Sequence, residues 1–280
     1  MAIAYARQTV SVSRRHRHDP APSSGLLGPA TPRASRFYRA IIVLSRVVAW
    51  VLRFRLVIEG AEHLPKTPDG RPAGAWIAAG LPHRTWIDPF VVALQVPTEP
   101  RLHYLGDGPM IHRSRLRRFV LTRMGGVIPI WSRNGPRGFA EHIAAAELVI
   151  AAGAVFTIFP ETGPPAALGE IRPLSAGVAY FALRTGAPIV PLILGGTHEL
   201  YLGRRFVLRV LPAVSARELG GLAAEAALPE RGTPAERDLA RRITAKLAAL
   251  VADPVAEVHA AAEPPPGTPK RWRWLTTATH

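Results

Sequence analysis

The 280-residue chain contains no cysteine. Disulfides, thiolate metal ligands and cysteine nucleophiles are therefore excluded together. Lysine is almost missing as well: Lys66, Lys246 and Lys270 are the only three, so Arg carries nearly all of a formal charge of +15. There is no Gly-x4-Gly-Lys phosphate loop to support nucleotide hydrolysis, and no helix-turn-helix, zinc-knuckle or RNA-binding signature to point to nucleic acid. His103, His112, His142 and His198 show no metal-ligand spacing, so neither a metal nor a resident cofactor is expected.

The charge that is present is unevenly spread. Residues 1–55 hold ten Arg against a single acid, Asp19, a balance that suits an anionic surface. Residues 1–35, rich in Ser, Pro, Arg and Gly, lack the apolar core and cleavage site of a signal peptide and read as a disordered basic tail. Arg36–Leu56 is strongly apolar, with Arg39, Arg46 and Arg53 seven apart, which on a helix forms one stripe drifting by only ~20° per heptad. A spanning helix needs roughly 18 apolar residues, far more than any Arg-free run here. The segment 36–56 therefore suits an amphipathic helix lying in a lipid interface, although an ordinary packed amphipathic helix would show the same pattern. Residues 256–280, with Lys270–Trp274 reading KRWRW, form a C-terminal tail.

Between the tails, strand and helix signals alternate. Strands are expected at 76–80, 102–106, 127–131, 154–159, 187–194 and 205–214. Helices are expected at 88–96, 112–126, 137–153 and 174–186, and from a Thr233/Glu236 capping box onward with Leu239, Ile243, Leu247 and Leu250 on one face. The alternation predicts an α/β layered domain over 36–255, with a mostly parallel or mixed central sheet flanked by helices. In such folds ligands sit where strands end, and His83, Asp88, Arg133 and Glu161 all fall just after predicted strands.

His83 and Asp88 are five residues apart, about 500° on a helix, so they can pair only if the segment is a strand-to-helix turn. In that geometry the carboxylate would accept from one ring nitrogen and leave the other basic. Such a dyad suits proton abstraction from a hydroxyl.

The blocks around it read LPHRTWID (81–88), GGVIPIWSRNG (125–135), IFPETG (158–163) and APIVPLIL (187–194). In that order they resemble the four blocks of the glycerolipid acyltransferase family, typified by 1-acylglycerol-3-phosphate acyltransferase. The resemblance covers residues 76–196 and implies an enzyme at the cytoplasmic face of the membrane, held peripherally or monotopically. It would move an acyl group from acyl-CoA or an acyl-carrier protein to a hydroxyl of a lysophospholipid or related lipid. By the same resemblance His83 is the general base and Asp88 orients it. Arg133 would hold a polar or phosphate group of the acceptor, and Glu161, with Thr162 and Gly163, would organise the acceptor pocket.

The chain departs from the family pattern at three places. Pro82 stands where a polar residue is usual before the His, Thr162-Gly163-Pro164 replaces Gly-Thr-Arg, and Ser175 replaces a Lys. Either Arg172, Arg137 or Arg184 supplies the missing cation, or the acceptor lacks a phosphate and is another lipid alcohol. Arg113, Arg115, Arg117, Arg118 and Arg123 are candidates for the phosphates of coenzyme A or for an acidic carrier protein. Two other readings compete. One is a non-catalytic lipid-binding relative, and the other a serine esterase using Ser175, whose Pro-Leu-Ser-Ala-Gly context is half of a nucleophile elbow.

Overall fold

The computed structural model describes residues 27–130, 135–164, 166–223 and 225–272. Seven strands, β1 (Arg55–Glu59), β2 (Trp76–Leu81), β3 (Leu102–Asp107), β4 (Val127–Ile130), β5 (Val155–Ile158), β6 (Ile189–Gly195) and β7 (Arg205–Val210), form one sheet. Their order is β1-β7-β6-β2-β5-β3-β4, with every pairing parallel except β6–β7. The sheet is therefore mixed and mostly parallel. β2 lies between β6 and β5 and is buried along its whole length, as its unbroken WIAAGL run requires of a central parallel strand.

Side chains alternate across the sheet. Trp76 and Ala78 pack on one face with α1 (Arg36–Val51) and α2 (Asp88–Gln95). Ile77, Ala79 and Leu81 pack on the other with α5 (Gly135–Ala151), α6 (Gly177–Thr185), α7 (Ala216–Gly220) and α8 (Pro234–Ala262). The short α3 (Gly108–His112) leads into α4 (Arg115–Met124), whose Met124 joins the α1/α2 side.

Several boundaries differ from the sequence reading. The first helix stops at Val51 rather than at 56, because Arg53 takes a left-handed turn (φ 56) and Arg55–Glu59 pairs with β7 as an edge strand. Residues 27–35 are not a tail: Leu27 exchanges backbone bonds with Val127 and Gly126, and Ala34 is buried. Residues 1–26 lie outside the described residues.

The last helix runs past 255 to Ala262 because Val255, Val258 and Ala262 continue the buried stripe through Pro254. That burial outweighs the hydrogen bond Pro254 removes. Val251, not Leu250, belongs to the stripe. Thr233 caps this helix, but the Glu236 side chain bonds Gly232 N and Arg184 instead of completing a capping box. Beyond it, Lys270 reaches Glu199 and the Arg271 carbonyl accepts from Leu202, so this part of the tail is anchored. Residues 273–280 are outside the described residues.

Candidate active site

The adjacent strands β6, β2 and β5 point the same way, and the polar residues cluster beyond their C-terminal ends. After β2 the chain turns at Pro82 and delivers His83, and Asp88 follows as the first residue of α2. His83 Nδ1 lies 2.7 Å from Asp88 Oδ2. A carboxylate only accepts, so Nδ1 carries the proton and Nε2 the lone pair.

Asp88 is completely buried, and its carboxylate also receives Arg84 N at 2.7 Å, Thr85 N at 2.8 Å and the Thr85 hydroxyl at 3.2 Å. These four donors offset the desolvation that burial would otherwise impose on the charged form. Thr85 is fixed in turn by its bond to the Thr197 carbonyl beyond β6. The His83 side chain is 34% exposed and lies against the Phe159 ring, centroids 4.5 Å apart. Gly80 allows this, since a Cβ there would meet the Phe159 ring at 2.4 Å.

Glu161 and Arg172 act on the peptide unit of His83 rather than on open space. Glu161 Oε2 accepts from His83 N at 2.9 Å and Oε1 from Arg172 N at 2.9 Å, while Arg172 Nη2 donates to the His83 carbonyl. Arg172 Nε stands 3.4 Å from Glu161 Oε2, an ion pair without hydrogen-bond geometry. The Arg172 guanidinium is thus engaged with the His83 carbonyl and Glu161. Arg84, the neighbour of His83, spends its guanidinium on the carbonyls of Ala166, Ala167 and Glu170 and ties down the same loop. Burial lowers its pKa, with the Glu161 carboxylate opposing.

Thr162 bonds the Pro173 carbonyl through both N and Oγ1. Gly163 turns with φ +81, a conformation that explains Gly at that position. Glu161 also bridges to Leu174, completing a link between the end of β5 and the approach to α6.

Other expected residues are placed elsewhere. Arg184 pairs with Glu236 between α6 and α8 and cannot stand in for the missing cation at His83. Arg133 and the side chain of Arg137 are outside the described residues. Ser175 Oγ accepts from Gly177 N at the start of α6, and the segment entering it is a bridge to Glu161, not a strand driving into a nucleophile turn.

Sequence spacing did not suggest that His198 would meet His259 and Glu263, yet their ligand atoms lie within 4.8 Å of one another. The fully buried Arg204 already donates to Glu263 Oε1 at 3.0 Å, placing a cation on the oxygen a metal would need. Burial, reinforced by Arg204, lowers the His198 pKa to about 4. His198, Glu263 and Arg204 form a polar network against the end of α8.

A family model described as Acyltransferase matches residues 55–195, half of the chain. The 1-acyl-sn-glycerol-3-phosphate acyltransferase of Cocos nucifera is 38% identical over 82 residues, covering 29% of this chain and 26% of that protein. The matched region therefore spans about a quarter of the curated relative. The crystal structure of the 1-acyl-sn-glycerophosphate (LPA) acyltransferase PlsC from Thermotoga maritima superposes with a TM-score of 0.52, covering 79% of each chain at 18% identity. That identity speaks for the fold alone. The family match spans β1 to β6 and takes in the His83–Asp88 turn, Glu161 and the strands that carry them, and the chain belongs to the acyltransferase family.

Proposed function

We propose that the protein transfers an acyl group from a thioester, acyl-CoA or acyl-carrier protein, to a hydroxyl of a lysophospholipid or related lipid alcohol. The observation that carries this reading is the His83–Asp88 pair: a partly exposed imidazole whose Nδ1 is engaged by a buried, fully satisfied carboxylate. Nε2 takes the proton of the acceptor hydroxyl as its oxygen bonds the thioester carbonyl carbon. The C–S bond then breaks, and the proton passes to the departing thiolate.

Asp88 fixes the tautomer and favours the imidazolium that forms transiently. Glu161 and Arg172 hold the His83 peptide from its two sides, which keeps the base where acceptor and thioester can converge. The acceptor enters from a membrane surface, for which the apolar side chains exposed on α1 supply the contact. In this reading the enzyme works at the cytoplasmic face of the membrane, held peripherally or monotopically.

Radiolabelled acyl thioester offered with a panel of lyso-lipids and lipid alcohols tests the reading. Labelled diacyl product is expected from the wild type and none from His83→Ala. Equal product from both would overturn the mechanism, and no product from any acceptor would favour a non-catalytic lipid-binding role.

A further inference from the structure

α4 carries four Arg and no acid within ten residues, and none of its side chains is buried. Between those guanidiniums Leu116 and Phe119 are 71% and 57% exposed, and Arg123 lies over the Phe119 ring at 5.7 Å. Exposed Leu116 and Phe119 set between cations able to reach headgroups have the pattern of an interfacial helix.

α4 touches α1, whose outer side exposes Val43, Leu44, Val47, Val48, Trp50 and Val51. The cations of α1 are less available than its sequence suggests. Arg39 is paired with Glu99, Arg46 reaches the Leu94 carbonyl, and Arg53 falls beyond the helix end. α1 thus offers a mainly apolar outer side, with Arg36 exposed at its first residue, while α4 carries four Arg within ten residues.

We propose that α4 is a second bilayer-contacting helix and that it gives the surface its preference for anionic lipid, an inference resting on the membrane-surface action proposed above. The occupant is an anionic bilayer. An acidic carrier protein would match the Arg residues of α4 but leave the continuous apolar surface of α1, Leu116 and Phe119 without a role. Trp86 and Phe90 are exposed at the start of α2, a helix that also contacts α1.

The test uses the full chain sedimented with phosphatidylcholine vesicles and with vesicles in which part of that lipid is replaced by phosphatidylglycerol. The wild type should bind both, the anionic ones more tightly. Arg115→Glu/Arg118→Glu should lose at least about tenfold on anionic vesicles and little on neutral ones, since each cation near an anionic surface contributes about fivefold. Leu116→Ser/Phe119→Ser should weaken binding to both. Thermal unfolding midpoints of both variants should match the wild type, which verifies folding.

Unaltered binding of Arg115→Glu/Arg118→Glu to anionic vesicles would overturn the proposal. So would intact vesicle binding with a raised KM for the acyl thioester, which would assign α4 to the donor. A wild type that binds neither vesicle while remaining active in micelles would instead overturn the membrane-surface reading beneath it.

Discussion

The helices on the two faces of the sheet bury themselves to different degrees. α8 turns Leu239, Ile243, Leu247, Val251, Val255 and Val258 into the core, each almost wholly buried, and exposes charged residues and Ala, with Leu250 the one large apolar side chain among them. α1, richer in apolar residues, buries only Tyr38, Ile42 and Ala49, and α4 has no fully buried residue. The same chemistry thus meets two fates. On one face it closes a core, and on the other it is left facing outward in a contiguous patch of the kind that marks an interaction surface. His83 stands at the end of the sheet between them, with its carboxylate partner belonging to the exposed layer and its peptide clamps arriving from the loop that leads to α6 on the closed one.

The comparison can be broken or sharpened experimentally. Asp88→Asn keeps the shape of the turn but loses the acceptor that fixes the His83 tautomer. We expect acyl transfer in micelles to fall by ~10²–10⁴; a change under twofold would detach the exposed layer from catalysis.

Ile243→Ala or Leu247→Ala should cost about 2–5 kcal/mol in urea unfolding, whereas Val47→Ser, on the outward side of α1, should stay within about 0.5 kcal/mol. Similar costs at both sites would erase the distinction between the layers.

The end of α8 predicts a pH dependence through His198, which faces Arg204, Glu263, His259 and Glu199. Its pKa is depressed from 6.5 to about 4 in the folded chain, so between those values the unfolded chain binds more protons. The contribution is whole above pH 6.5 and is lost as pH falls towards 4. His198→Asn should flatten that decline by on the order of 2 kcal/mol, measured as urea midpoints from pH 7 to 4; parallel curves would refute the assignment.

Smallest of all, Trp50→Ala should leave thermal unfolding unchanged but weaken vesicle partition by about tenfold. A lowered melting temperature would show that Trp50 packs rather than docks.

Much of the fold was legible because periodicity reports which side of an element meets apolar neighbours. The runs at 76–80, 154–159 and 187–194 declared themselves as strands, within two residues of the observed ends, and Thr233 declared the start of the last helix. The edge strand Arg55–Glu59 was hidden because its apolar residues continue those of the preceding helix, and only pairing with Arg205–Arg209 defines it. The capping box at Ser215 and Glu218 was readable but passed over, since it heads a helix of five residues with almost no apolar period. Leu27 is held by backbone bonds to Val127 and Gly126 that its side chain does not announce, although Ser35 at the end of the segment caps α1.

The sequence alone determined the chemistry available: no thiol, an Arg-dominated charge, one His and one Asp at a strand-to-helix turn, and a Glu after another strand. What only the tertiary structure decided was how those groups are spent. Arg172 and Glu161 close on the His83 peptide from 89 and 78 residues away, and Arg39 pairs with Glu99 across the surface, 60 residues on. The reason is physical. Local spacing sets backbone period and burial, whereas a guanidinium or carboxylate takes whichever partner the folded loops bring within about 3 Å, and that distance is fixed by the packing of distant elements.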